Sequence, residues 1–355
     1  MDFTFSDEQK AMAAAVRELL ADLCSPLALR KAYDDGTHAG DERWPRLVEL
    51  GIPGMLAPET AGGLGLHDID FVLVAEETGR AALPEPVAEH AGVAVPLLAE
   101  LAAQSPGVQT LLTRAAAGEC RVAIVHAQNP YVLAADEATH LVICAPDSIH
   151  LLARDAVRLT AQPSIDLLRH PFSVDATLDA GNCVATGAAA REASARALNR
   201  GAVFLAAQCL GLTERMIELA VEYAKTRSQF GQPIGAYQAI KHHLASVQVK
   251  LEFARPVVYA AATRLAQPGA RTETVASHAK LAASDAAELA ARTAIQVHGA
   301  MGYSWEVDLH FYMKRAWGLA GAWGDRMFHA RRVQAALFTE QLATGPEFTF
   351  AHTDR

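Results

Sequence analysis

The order in which helix-like and strand-like segments follow one another is the feature of this chain that most constrains its fold. Apolar residues recur at helical spacing in the first third of the chain and again throughout its second half. Between these parts lie short runs rich in Val, Ile and Leu, separated by turn-forming residues, at 122–127, 140–145 and 148–153. We therefore predict a mainly α-helical protein with a small β domain in its middle. The predicted parts are an N-terminal helical domain at 1–118, a β domain at 119–187 and a C-terminal helical bundle at 188–355.

Several helix boundaries follow from local signals. Ser6, with Gln9 at the third helical position, predicts a capping box at the start of the first helix. A long helix after residue 188 is predicted to bury one stripe with 4-3-4-3-4 spacing: Leu205, Cys209, Leu212, Met216, Leu219 and Tyr223. In the next predicted helix, at 237–265, Pro256 predicts a kink or break. Other helices are predicted at 44–50, 68–81, 87–103, 106–117, 237–265, 273–298 and 325–342.

Charge and composition exclude several classes of protein. The chain carries 31 basic and 40 acidic residues, a net charge of -9, which argues against non-specific nucleic-acid binding. An anionic cofactor would therefore need a few placed arginines or helix N-termini. No apolar run approaches membrane-spanning length and the N-terminus lacks signal-peptide features, so we expect a cytoplasmic protein. The five cysteines are scattered, and the adjacent His242 and His243 point apart on a helix, so no metal site is predicted.

Three longer motifs carry a resemblance to a known family. They are ELGIPGMLAPETAGGLGL at 49–66, YAKTRSQFGQPIGAYQAIKHHLA at 223–245 and AIQVHGAMGYSWEVDLHFYMKRA at 294–316. Each resembles the matching segment of acyl-CoA dehydrogenases, in the same order, and the similarity is weakest between about 120 and 190. The resemblance implies the acyl-CoA dehydrogenase fold: an N-terminal helical domain, a middle β-barrel-like domain and a C-terminal four-helix bundle through which subunits pair. It also implies FAD, shared across the subunit interface.

The resemblance further implies which residues of this chain contact the FAD of a neighbouring subunit. Arg227 matches the arginine that pairs with the pyrophosphate, a task suited to the planar guanidinium, and Phe230 matches the aromatic residue beside it. The remaining matches are Gln229, Tyr237 and Gln238 on the adenosine side, and Gln296 and Gly299 in a Q-x-x-G corner. Taken singly, Arg227 is more simply explained as a surface salt-bridge residue, and Gln296 as a hydrogen-bonding residue at a helix end.

The catalytic base of the family has no counterpart in this chain. The family reaction needs a placed carboxylate because the α-proton of an acyl-CoA is only weakly acidic. Trp323 stands where most members carry that glutamate, before Gly324, and Gly201 stands where a few members carry it instead. Asp325 and Glu306 are the candidate relocated bases, although a helix N-cap and a solvated turn explain them more simply.

The flavin cradle is also altered. The region where members carry a glycine-rich loop is VHAQNPYVLAADEATH at 125–140, and no tryptophan lies between Trp44 and Trp305. Trp323 either fills the space where flavin and substrate would stack or is an ordinary core or interface residue.

These features favour one hypothesis over two alternatives. The favoured hypothesis is the degenerate subunit of a heteromeric α2β2 acyl-CoA dehydrogenase, whose catalytic partner subunit supplies the base and the cradle. By resemblance, its substrates would be CoA thioesters of steroid side chains or other bulky acids, and an electron-transfer flavoprotein would accept the electrons. The alternatives are a homomeric flavoenzyme that uses Asp325 or Glu306, and a flavin-free scaffold or acyl-CoA-binding protein.

Overall fold

The structure, a computed structural model, describes residues 4–35 and 42–339. Helices occupy the chain up to Ala116, strands lie between Val122 and Thr186, and long helices follow, as the sequence predicts. The predicted domain boundaries stay a prediction. The end of the last predicted helix, beyond residue 339, lies outside the described residues.

The first part of the chain is a cluster of short helices. The predicted capping box is confirmed, because Ser6 Oγ accepts from Gln9 N at 3.2 Å and Gln9 Oε1 accepts from Ser6 N at 2.8 Å. A π-helical turn at His90–Ala94 joins two helices into the continuous segment predicted at 87–103. The helices are α1 (Asp7–Leu23), α2 (Pro26–Asp35), α3 (Arg43–Glu49), α4 (Asp68–Arg80), α5 (Val87–Glu89), α6 (Val95–Leu101) and α7 (Pro106–Ala116).

Two sheets form the β region. The strands are β1 (Val122–His126), β2 (Val132–Leu133), β3 (His140–Cys144), β4 (Ser148–Ala153), β5 (Val157–Ala161), β6 (Pro171–Ala176) and β7 (Cys183–Thr186). One sheet has the order β1-β3-β4-β7 and the other β2-β6-β5. Alternation along β3 and β4 directs Leu141 and Leu152 toward the second sheet, and Val142 and Ile149 toward the helical core. The β region is thereby fixed against the helices.

The C-terminal part is a bundle of long helices. Its elements are α8 (Gly187–Thr226), β8 (Ser228–Gln229), β9 (Gln232–Pro233), α9 (Gln238–Ala262), α10 (Ala270–His298), α11 (Leu309–Gly321) and α12 (Arg326–Phe338). The sequence did not predict α2 or α11. Of the kink or break predicted at Pro256, the break is wrong, since α9 continues through this residue, and the kink stays a prediction. Pro256 is exposed, so the break in backbone hydrogen bonding falls on the water-facing side.

The central helix, α8, organises the bundle. The predicted single buried stripe is wrong for its middle, because every residue from Gly201 to Thr213 is buried. Helices α4, α9, α10 and α11 all pack on it, so a stripe becomes a wholly buried helix. Gly211 lets α8 approach α4 closely, since a Cβ there would overlap the backbone of Glu76.

Candidate functional site

The two positions where the family resemblance places a base lie in contact. Trp323, in the loop between α11 and α12, is 0% exposed. Its indole lies on Gly201 of α8, where an added Cβ would overlap the ring and lie only 2.7 Å from Cε2. Any larger residue at 201 would therefore clash with the indole, and both base positions are filled by one ring.

A segment of the β region seals the other side of this ring. Asn129 Oδ1 accepts from Trp323 N at 3.4 Å, and Gln128 O accepts from Gly324 N at 2.8 Å. The His126 ring lies 5.8 Å from the Trp323 ring, centroid to centroid, at an interplanar angle of 33°. We call this group, formed by His126, Gln128, Asn129, Gly201 and Trp323, the closed cleft. It occupies the loop region where the resemblance places the flavin cradle.

Helix α12 contacts the backbone of Trp323 through His329. His329 Nε2 donates to Trp323 O at 2.9 Å, and His329 Nδ1 lies 3.1 Å from Ser277 Oγ on α10. Burial lowers the pKa of His329 to about 4, so the ring is neutral at pH 7. A neutral ring that donates through Nε2 must accept from the Ser277 hydroxyl through Nδ1, which fixes its tautomer. Both ring nitrogens of His329 therefore have hydrogen-bond partners, and these bonds support the closed cleft.

The backbone of Trp323 adopts a conformation that few side chains tolerate. Its φ is +55°, in the left-handed region. Its buried indole Nε1 has no hydrogen-bond partner among the described residues. Both features cost free energy, which full burial of the largest side chain offsets.

The predicted FAD contacts lie elsewhere, around an exposed hairpin. Ser228 pairs with Pro233 and Gln229 with Gln232, and the two turn residues, Phe230 and Gly231, have φ of +53° and +83°. Positive φ at both positions indicates a type I′ turn, which usually takes Asn-Gly. Phe230 is 94% exposed. We call Ser228–Pro233 the grip hairpin.

Arg227 lies at the base of the grip hairpin. It forms the C-cap of α8, and its exposed side chain makes no ion pair with any described residue. Tyr237 Oη donates to Gln229 O at 3.1 Å, and Gln238 opens α9 beside it. The structure therefore brings together five of the seven predicted contacts.

Gln296 and Gly299 lie at the end of α10. The rings of Tyr223 on α8 and His298 on α10 stack with centroids 4.3 Å apart, so the end of α10 abuts the segment that precedes Arg227. Gln296 and Gly299 line an open pocket of about 260 Å³, with Arg292, Ile295, Tyr303 and Trp317. Tyr303 lies within the third sequence motif, and Trp317 directly follows it.

The two candidate relocated bases have structural roles at the surface. Asp325 is exposed and caps α12, since its Oδ1 accepts from Phe328 N at 2.8 Å. Glu306 is exposed in a turn, where its carbonyl accepts from Arg30 Nη2 at 3.0 Å. Neither belongs to the closed cleft.

Comparison with known proteins identifies the class of protein. The acyl-CoA dehydrogenase N-terminal domain matches residues 6–119, and the acyl-CoA dehydrogenase C-terminal domain matches residues 191–338. The chain belongs to the acyl-CoA dehydrogenase family. It is 35% identical over 317 residues to acyl-CoA dehydrogenase IpdE2 of Mycobacterium tuberculosis, covering 88% of this chain and 92% of that protein.

Two further comparisons concern chain length and fold. Acyl-CoA dehydrogenase FadE34 of M. tuberculosis is 32% identical over 352 residues, which cover 94% of this chain but 48% of that protein. The crystal structure of the ChsE4-ChsE5 complex from M. tuberculosis has the same fold, with a TM-score of 0.82 and 23% identity over 97% of this chain and 100% of that chain. No helix in the described part of the chain combines the length and apolar character needed to cross a bilayer.

The residues present decide which part of FAD this chain can hold. The closed cleft does not fit an isoalloxazine ring, because Trp323 and the 126–129 segment fill and seal it. Arg227 and the grip hairpin together fit a diphosphate, because the exposed guanidinium of Arg227 has no ion pair among the described residues and lies next to the hairpin that carries the exposed Phe230 ring.

Proposed function

We propose that this chain is the non-catalytic subunit of a heteromeric, FAD-dependent acyl-CoA dehydrogenase. Arg227 and Phe230 contact the diphosphate and adenosine of an FAD whose isoalloxazine ring lies in a catalytic partner subunit. The observation that carries the proposal is the fully buried Trp323 lying on Gly201, since this pair removes both base positions and the space beside them.

The chemistry of α,β-desaturation explains why such a subunit needs a partner. The reaction requires a carboxylate that takes the α-proton and, in bound FAD, an acceptor for the β-hydride. Neither Trp323 nor Gly201 can accept a proton, and Asp325 is occupied as a helix cap. The proton step therefore belongs to the partner, while Arg227 offers charge-assisted hydrogen bonds to the diphosphate.

The comparisons favour an assembly of two different units. The half of FadE34 not matched by this chain has about the length of one further unit of this size. ChsE4-ChsE5 is named as a complex of two proteins. We therefore propose an α2β2 assembly with one FAD per heterodimer. Its substrate class would be the bulky CoA thioesters, such as those of steroid side chains, and its electron acceptor an electron-transfer flavoprotein.

Flavin content tests the proposal directly. The chain purified alone should be colourless, and the complex with its catalytic partner should hold about one FAD per heterodimer. Arg227→Ala should weaken FAD retention in the complex about ten- to a hundredfold, since it leaves diphosphate charge unpaired. Arg191→Ala is the matched control, because Arg191 is also exposed on α8 but pairs with Asp147.

One result would overturn the proposal. A lone chain that holds one FAD per subunit and is bleached by an acyl-CoA must have its own cradle and base. Asp325→Asn and Glu306→Gln would then identify that base by a loss of at least about a hundredfold in rate.

A further inference from the structure

A serine and a histidine in the β region, away from the closed cleft and the grip hairpin, are in hydrogen-bond contact. Ser148 and His150 lie two residues apart on β4, a spacing that places side chains on the same face of a strand. Ser148 Oγ lies 2.8 Å from His150 Nε2. The other ring nitrogen, His150 Nδ1, lies 2.6 Å from Asn182 Oδ1 in the turn before β7. The three side chains therefore form a continuous Ser-His-Asn chain of hydrogen bonds.

The orientation of the Asn182 amide decides which nitrogen of His150 carries the proton. Asn182 Nδ2 donates to Thr177 O at 3.0 Å, and Asn182 Oδ1 accepts from Asp179 N at 3.2 Å. The oxygen of the amide, an acceptor, thus faces His150 Nδ1, which must be the donor. In the neutral ring, Nε2 then has a lone pair and accepts from the Ser148 hydroxyl. A serine hydroxyl that donates to an oriented imidazole has the hydrogen bonding of an activated nucleophile.

The surface position of Ser148 separates it from a second serine-histidine pair in this chain. Ser148 is half-buried and follows the exposed turn at Pro146 and Asp147, whereas His150 is only 5% exposed beneath it. Ser277 also contacts a histidine, His329, but its side chain is fully buried between α10 and α12. A small molecule can therefore reach the hydroxyl of Ser148 but not that of Ser277.

Backbone donors begin close to Ser148. In the β4-β7 ladder Ser148 is the partner of Thr186, the residue at which the long helix α8 starts. The first N–H groups of a helix have no acceptor within the helix, and Ala188 and Ala189 are exposed. Such N–H groups stabilise the negative charge that develops on a carbonyl oxygen under attack. The surroundings of Ser148 thus suit attack on an acyl group.

We infer that Ser148 is a nucleophile that takes an acyl group from activated acyl esters, with His150 as its general base. Ser148 Oγ bonds to the carbonyl carbon as its proton passes to His150 Nε2, and the ester C–O bond breaks as that proton passes to the leaving oxygen. Water then attacks the acyl-serine with the same histidine as base, which releases the carboxylic acid and restores Ser148. Asn182 is a positioning residue that holds the His150 tautomer. This activity does not depend on FAD.

The experiment uses the full chain and p-nitrophenyl acetate, an activated ester with a coloured leaving group. Mass spectrometry of the quenched reaction should find about one acetyl group per chain, on the peptide that contains Ser148. Ser148→Ala should abolish this labelling, and His150→Gln should slow it by at least about a hundredfold. Ser173→Ala is the matched control and should change nothing, because the Ser173 hydroxyl, also on a strand, contacts the Gln162 amide at 3.1 Å instead of a base.

Two variants separate the positioning role of Asn182 from a purely structural one. Asn182→Ala should slow acetylation about ten- to a hundredfold, because the imidazole is no longer held in place. Asn182→Asp should restore most of the rate, since a carboxylate also accepts from His150 Nδ1, although it cannot donate to Thr177 O. If both variants were equally slow, the bond to His150 would not be the cause.

The same measurements can overturn the inference. Equal acetylation of wild type and Ser148→Ala would show that the hydrogen bonds only tie β4 to the turn before β7. A Ser148 that is labelled equally fast in His150→Gln would have no general base, which also contradicts the inference. Ser148→Ala removes one half-buried hydroxyl, so it tests the inference even where His150→Gln fails to fold. Flavin content of the complex should be the same in all these variants, so the proposed function stands or fails separately.

Discussion

The closed cleft and the grip hairpin each place an aromatic residue in the left-handed backbone region, but in opposite surroundings. Trp323 has φ of +55° and is 0% exposed, whereas Phe230 has φ of +53° and is 94% exposed. The left-handed conformation costs each residue about 1–2 kcal/mol. Trp323 recovers this cost within the chain by burying its ring. Phe230 does not, and its exposed ring stays free to contact another molecule. The comparison teaches that the closed cleft offsets its backbone strain by packing within the chain, whereas the grip hairpin does not.

Removing the indole from the closed cleft should have the largest effect on stability. Trp323→Ala should lower the free energy of unfolding by about 3–5 kcal/mol, because it leaves a cavity between α8 and the 126–129 segment. Urea unfolding of the purified protein measures this. Trp305→Ala, which truncates a half-exposed tryptophan, should cost less than about 1 kcal/mol, and equal losses for both would contradict a packed cleft.

Acidification should lower the free energy of unfolding through the histidines at the closed cleft, before it affects the grip hairpin. Burial lowers the pKa of both His126 and His329 to about 4, below the 6.5 of the unfolded chain. The unfolded chain therefore binds protons first as pH falls, and stability declines from about pH 6.5 down to about pH 4. At pH 5 each histidine should cost about 2 kcal/mol relative to pH 7. In His126→Gln, the difference between the urea midpoints at pH 7 and pH 5 should be smaller than in the wild type. A difference equal to that of the wild type would exclude a contribution from His126.

A methyl group at residue 201 should test the contact itself. Gly201→Ala should cost about 1–3 kcal/mol, because the added Cβ overlaps the Trp323 ring. In the Trp323→Ala background the same change should be neutral or stabilising by about 0.5–1 kcal/mol, since alanine favours a helix over glycine. Equal costs in both backgrounds, measured by a double-mutant cycle, would show that the contact is not responsible.

The smallest predicted effect is a gain in stability at the grip hairpin. Phe230→Asn should stabilise the chain by about 1 kcal/mol, because asparagine suits the first position of a type I′ turn. The same change should weaken FAD retention in the complex. Thermal unfolding of the chain measures the first effect, and a decrease in Tm would mean that the Phe230 ring packs on its own chain.

Local signals in the sequence predicted most elements, because capping boxes, turns and apolar spacing act over a few residues. Ser6 and Asp325 both cap helices as expected. Helix α2 was missed although Pro26 at its first position is a recognised start signal. Helix α11 was missed because Gly318 and Gly321 weaken its helical pattern.

The candidate site was only partly predictable. The resemblance identified Trp323 and Gly201 as two vacated positions, but their contact joins residues more than a hundred positions apart. The role of Asn129 could not be predicted either, since its partner, Trp323 N, lies 194 positions away. Long-range packing of this kind leaves no periodic signal in a single sequence.

The contact between Trp323 and Gly201 also restricts the evolutionary paths open to this chain. Glutamate at 201 would collide with the indole, and glutamate at 323 would stand in a sealed, desolvated cleft. A glutamate at either position therefore needs further substitutions that open the closed cleft, including changes in the 126–129 segment. The packing of one aromatic ring thus couples two distant positions of the sequence, so that a change at one is tolerated only together with a change at the other.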